Sequence, residues 1–119
     1  VDGHWYGRGF AAFYLDDLDA ALADFNMTLQ LNPRHHVAHV MRGQIYRRQN
    51  QLPLAIQEFT RAIDLAPGDP NTYLFRAYAY RDHDRLDRAI VDVEQYLSLA
   101  GDNAAGWASD MLAEWQAAR

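Results

Sequence analysis

Apolar residues recur along this chain at helical spacing, in blocks separated by short polar turns. Between Val37 and Gln49, the apolar residues Val40, Met41, Ile45 and Tyr46 follow that spacing, and Gly43 is the only glycine. A polar turn, Asn50-Gln51, comes next. Pro53 then stands where a first-turn proline belongs, because its missing N–H would have no helical partner there. From that point Leu54, Ala55, Ile56, Phe59, Ala62, Ile63 and Leu65 make a broad apolar face until Pro67-Gly68 stops the helix. Asp69 before Pro70 reads as the cap of the next helix, and Asp102-Asn103 before Ala104 predicts the same start for the last one. Asp16, Asp17 and Asp19 fall at the turn where they would cap an earlier helix. The pattern therefore predicts helices, in pairs.

The pairs repeat. Pro33 and Pro67 stand 34 residues apart, and Gly101 a further 34 along. Ala21, Ala55 and Ala89 keep this step, as do Leu18, Leu52 and Leu86, then Phe25, Phe59 and Val93, and Gly9, Gly43 and Ala77. Trp5, His39, Tyr73 and Trp107 carry it through a fourth copy. So many columns in one register mark stacked helix pairs that share a continuous core. The small columns allow the two helices of a pair to approach closely, and the aromatic columns fill the space between successive pairs. A charged regularity accompanies them: Arg8, Arg42 and Arg76 share one column, while Asp24, Glu58 and Asp92 share another sixteen residues later. The expectation is a repeated ion pair, structural in role, between the helices of each pair.

These columns resemble the tetratricopeptide repeat: Trp5-x₃-Gly9, Ala21-x₃-Phe25 and Pro33, then Gly43-x₂-Tyr46, Ala55-x₃-Phe59, Ala62 and Pro67. The third copy departs from the pattern at Val93, Tyr96 and Gly101, as a terminal repeat does. The resemblance implies an all-α fold, a right-handed superhelical solenoid forming a single domain over 1–119. Repeats fall at 2–35, 36–69 and 70–103, with a capping helix at 104–119. Val1 in place of an initiating methionine leads us to expect a chain that extends further upstream.

By the family's geometry, a concave groove is lined by the first helix of each pair and holds an extended peptide or a partner helix. Here the lining implied is Tyr6, Phe10, Phe13 and Tyr14, then Val37, Val40, Met41, Gln44, Arg47 and Arg48, then Asn71, Leu74, Phe75, Tyr78, Arg81 and Asp82. Such a surface, aromatic with three arginines near one rim, suits an apolar peptide bearing an acidic residue or a C-terminal carboxylate. The alternative is that several of these aromatics pack between helices and the arginines are simply solvated. One subclass of the family grips the acidic tail of heat-shock chaperones with lysine, asparagine and arginine side chains. The matching positions here are Tyr6, Phe10, Met41, Asn71 and Phe75, none of them basic, which argues against that ligand.

Composition narrows the remaining classes. The net charge of −5 argues against a general nucleic-acid binder, and no stretch is long and apolar enough to span a membrane. There is no cysteine, so disulfides and thiolate metal sites are excluded and neither redox compartment is selected. His35 and His39 have a metal-like spacing, but no acidic third ligand lies nearby in sequence, so turn and surface histidines and no metal or cofactor are expected. No phosphate-binding glycine loop or nucleophile elbow occurs. The reading is of a non-catalytic protein-interaction module. In the last helix Ala108, Met111, Leu112 and Trp115 form a stripe able to cover the third repeat. Trp107 falls in the stacking column, and Met111 stands in the small-residue column with no second helix to meet it. Met111, Leu112 and Trp115 are thus candidates for a terminal interface. Self-association, a scaffolding role or docking to another part of the same polypeptide is the alternative function.

Overall fold

The structure, a computed structural model, describes residues 2–119; Val1 lies outside them. Three helix pairs follow one another, α1 (Asp2–Tyr14) with α2 (Leu18–Leu31), α3 (His36–Arg48) with α4 (Leu52–Leu65), and α5 (Pro70–Asp82) with α6 (Leu86–Ala100). A short 3₁₀ turn, Gly101–Asn103, leads to a closing helix, α7 (Gly106–Ala118). Each pair packs on the next in chain order, giving an elongated solenoid of 46 × 28 × 23 Å. Its buried apolar residues form three clusters along the stack, one containing Phe25, one Phe59 and one Val93.

The paired helices meet where the small column faces the Phe25–Phe59–Val93 column. A methyl group added at Gly43 would lie 2.6 Å from the Phe59 ring, and one at Gly9 would lie 3.1 Å from the Phe25 ring. The third pair solves the same packing differently: Ala77 carries the methyl group and Val93 gives up the ring, and both are fully buried. The departure of Val93 from the column is thus the counterpart of the departure of Ala77.

The turn inside each pair is also repeated. Asp16, Asn50 and Asp84, again 34 residues apart, have φ of 62°, 59° and 56°. Asp and Asn tolerate this left-handed region better than other non-glycine residues. The next N–H bonds back five residues, from Asp17 to Ala12 (2.9 Å), Gln51 to Tyr46 (2.8 Å) and Arg85 to Tyr80 (2.8 Å). This is a Schellman ending to each first helix, with Asp or Asn where glycine is usual. Asp17 then caps α2 by accepting from the Ala20 N–H, and Asp69 caps α5 by accepting from Asn71.

The charged columns form a ladder. Arg8 holds Asp24 through two hydrogen bonds of 2.9 and 2.7 Å, and Arg76 holds Asp92 through two of 2.8 Å. Both aspartates are buried, so with its arginine removed Asp92 would be left an unpaired buried charge, at a cost of about 3–5 kcal/mol. In the middle pair Glu58 replaces aspartate, and its Oε1 accepts from both Arg42 Nε and His39 Nδ1 at 2.9 Å. The ladder also joins successive pairs. Arg42 reaches back to Asn26 of α2 (3.0 Å), and Arg76 to Thr60 of α4 (3.2 Å).

His39 is buried, contrary to the expectation of a surface histidine. Its Nε2 lies 2.9 Å from the Pro33 carbonyl while Nδ1 faces Glu58, which ties the turn before α3 to α4. His35 is the cap of α3, with Nδ1 accepting from the Ala38 N–H.

Two outcomes test this packing. Gly43→Ala should destabilise the domain by about 1–3 kcal/mol through overpacking, as read by urea denaturation. The same change should cost much less in a Phe59→Val background, which recreates the third pair's combination; equal costs in both would separate the glycine from the ring. Burial pushes the Glu58 carboxyl up, but the bonds from His39 and Arg42 outweigh it and hold the group below its ordinary value of 4.5. Its contribution to stability is therefore complete above that value and is lost as pH falls through the lower folded-state value. Glu58→Gln should be less stable at neutral pH and should lose less on acidification, and parallel losses in the two proteins would remove Glu58 from this account.

Candidate functional site

The first helices α1, α3 and α5 present a common face, because the side chains that bridge them lie on it. The Arg48 guanidinium of α3 sits 4.2 Å over the Phe13 ring of α1. Arg47 of α3 sits 5.3 Å over Tyr78 of α5, and Arg81 lies 5.2 Å from that ring and 5.5 Å from Trp115 of α7. At the other end of the same helices Tyr6 meets Phe10 edge-on at 4.8 Å and approaches the His35 ring at 4.6 Å. Burial pushes the hydroxyls of Tyr6 and Tyr78 above the usual tyrosine value, although Arg81 and Arg47 pull Tyr78 back.

Of the residues expected to line a groove, Tyr6, Phe10, Val37, Gln44, Arg47, Phe75 and Tyr78 are half-buried, and Tyr14, Arg48, Asn71, Arg81 and Asp82 are exposed. Phe13, Met41 and Leu74, with Val40, are corrections to that expectation. They are buried in the core: Phe13 and Met41 pack with Phe25, Val40 with Phe59, and Leu74 with Val93. They sit on the flank of each first helix that the adjacent helices close over, so they support the face from beneath.

The arginines are also less free than their spacing suggests. Arg47 pairs with Asp82 at 3.0 Å, Arg48 with Asp16 at 3.4 Å, and Arg81 with Asp82 at 3.1 Å. These pairs are largely exposed and exchange at little energetic cost. The rim is thus three guanidiniums held by two carboxylates and stacked on aromatic rings, with one positive charge in excess.

The end of the chain departs from the period. α5 runs from Pro70 to Asp82 and α7 from Gly106 to Ala118, a step of 36 instead of 34. Asp102 and Asn103 do not cap α7; they belong to the 3₁₀ turn, and Gly101 adopts φ 54°. The helix starts from Ala105, whose N–H donates to the buried Tyr96 hydroxyl at 2.9 Å. Because of the two-residue delay, Ala108 and Trp115 take the places of the buried Thr72 and Ala79, and Trp115 packs edge-on to Tyr78. Trp115 is therefore part of the core and no terminal anchor, and Met111 and Leu112 are half-buried against the same cluster. Trp107 leaves the stacking column for that of Val37 and Asn71 and is 51% exposed, a position the 34-residue count missed. Among the described residues, no three histidine, aspartate or glutamate side chains gather as a metal site would require.

A family model described as tetratricopeptide repeat matches residues 6–70, more than half of the chain. No curated protein sequence matches it. Several solved structures share its fold. The first tetratricopeptide domain of Spaghetti (RPAP3), bound to the HSP90 peptide SRMEEVD, is 21% identical with a TM-score of 0.90, over 98% of this chain and 91% of that one. The OM64 tetratricopeptide domain of Arabidopsis is 21% identical with a TM-score of 0.86, over 95% and 94%. The type III secretion translocator chaperone SycD of Yersinia enterocolitica is 16% identical with a TM-score of 0.89, over 97% and 83%.

Proposed function

The chain belongs to the tetratricopeptide-repeat family, whose repeats are protein-interaction modules, and on that premise we propose that it binds an acidic segment of a partner protein along the face of α1, α3 and α5. The observation that carries this reading is the run of arginines stacked on aromatic rings across that face, Arg48 on Phe13 and Arg47 and Arg81 on Tyr78. Stacking holds each guanidinium fork in place before a ligand arrives, which lowers the ordering cost of binding. A carboxylate of the partner takes the place of Asp82 or Asp16 on the rim, while Tyr6, Phe10, Phe75 and Tyr78 receive apolar side chains. Trp107 lies in the same series of columns and extends the apolar part of this surface.

The solved neighbour that holds SRMEEVD supports an acidic occupant by analogy of fold. The positions at which a chaperone-tail clamp would need basic groups hold Tyr6, Phe10, Met41, Asn71 and Phe75. We therefore assign a different occupant, recognised at the rim near Arg47 and Arg81. The reading is of a binding module without catalysis or cofactor, acting on protein and on neither nucleic acid nor membrane.

A second reading, self-association, is favoured by one observation. Ala11 and Leu15 on the first pair are exposed, Leu15 at 82%, whereas Ile45 and Ala79 in the column of Ala11 are fully buried by the preceding pair. A mass that rises with concentration in light scattering would favour that face.

The rim is tested by capture of proteins from cell extract on the wild-type domain and on Arg47→Glu/Arg81→Glu. Both substituted side chains keep water contact, so helicity by circular dichroism should be unchanged. The expected outcome is a partner retained by wild type in a salt-sensitive manner and weakened at least about tenfold by the double variant. Equal capture by both proteins would move the binding surface off the rim and leave the terminal face as the stronger candidate.

A further inference from the structure

A polar cavity lies away from this face, at the junction of the first two helix pairs. It has a volume of about 310 Å³ and is lined by Asn26, Leu29 and Gln30 of α2, Pro33, His39 and Arg42 of α3 and the turn before it, and Arg61 of α4. Its lining holds two guanidiniums and two carboxamides and no acidic residue, in a chain whose net charge is −5. Glu58 neutralises part of Arg42 from behind, through Nε. Arg42 Nη1 donates to Asn26 Oδ1, and among the described residues Nη2 and the Asn26 amide N–H groups have no acceptor. His39 adds no donor, since its two ring nitrogens face Glu58 and the Pro33 carbonyl. Arg61 forms no ion pair among the described residues.

A second cavity and the equivalent columns of the next junction differ from this site. A second cavity of about 270 Å³, beside α5 and α6, also has two arginines, Arg76 and Arg88, but Asp87 and Asp92 line it with them. At the junction of the second and third pairs, the columns of Gln30 and Arg61 hold Asp64 and Gln95. One change adds a carboxylate and the other removes the second cation. Of the two junctions, the first alone combines two arginines with no acid in these columns.

We propose that this cavity binds a phosphate monoester group. The lining donors are supplied by three helices, the amides of Asn26 and Gln30 by α2, one guanidinium by Arg42 of α3 and the other by Arg61 of α4. A tetrahedral oxyanion can accept from all of them, whereas a planar carboxylate is served by one guanidinium fork. The volume exceeds that of a bare phosphate, and Leu29 and Pro33 give the remainder of the ligand an apolar wall. The site is independent of the rim of the first helices and stands or falls apart from it.

The test is a titration followed by amide and arginine side-chain NMR shifts at constant ionic strength. The probes are inorganic phosphate, N-acetyl-phosphoserine amide and succinate, against sodium chloride as reference. The expected result is saturable shifts at Asn26, Gln30, Arg42 and Arg61 with both phosphate probes. Arg61→Gln should weaken them at least tenfold, and so should Gln30→Asp, which imports the acid of the second junction. Tighter binding of the phosphoserine probe would assign a phosphorylated side chain as the source, and equal binding a free phosphate compound. Shifts that follow chloride equally, that persist unchanged in Arg61→Gln, or that succinate produces at the same concentration would overturn the proposal.

Discussion

The architecture depends on how closely the two helices of a pair can approach. Gly43 has no room for a methyl group in front of Phe59, and Gly9 has little in front of Phe25. The ring fills the volume that the missing side chain leaves, and the helix backbone itself becomes part of the core. At that separation an arginine one position before the glycine reaches the acid one position before the ring. The ion pairs of the ladder are therefore a product of the close approach as well as a support for it. Ala77 with Val93 shows that the constraint is on the summed volume of the two positions and not on either residue alone.

Specificity of stacking comes from the other arm of the same arginines. Apolar contact between successive pairs would tolerate a slide of one helical turn, but a hydrogen bond from Arg42 to Asn26 or from Arg76 to Thr60 would be broken by it. Buried charge of this kind adds little net stability compared with apolar packing, and its effect is to select one arrangement. His39 adds a second tie at the middle junction, between the turn that enters α3 and the acid on α4.

Most of the fold was legible in the sequence, because a column repeated at constant spacing reports a constant environment. The helix pairs, the small-residue contact and the charged ladder could all be read that way; the left-handed Asp16, Asn50 and Asp84 keep the same spacing, but Asp16 reads from sequence as a cap of α2, a place that Asp17 alone takes. The candidate face was legible only in outline. Phe13, Met41 and Leu74 share its helices and its spacing, yet their burial is decided by how far the adjacent helices close over each flank, which is a property of three dimensions. The partnering of Arg47 and Arg48 with Asp82 and Asp16 links positions 35 and 32 residues apart across different repeats, at spacings the period does not mark. The placing of α7 failed for the opposite reason: the period was carried past the point where the chain abandons it.

That two-residue delay has a bearing on how such an array could be lengthened by design. A grafted unit continues a solenoid only if its first helix arrives in phase with the columns before it. A consensus repeat joined directly after Ala118 would place its first helix where the second helix of a pair begun by α7 belongs, and its small residues would not meet the ring they pack against. The splice has to be made after Ala100, with the 3₁₀ turn and α7 removed as one cassette, and α7 re-attached behind the new unit together with a tyrosine to receive its first N–H, as Tyr96 does here.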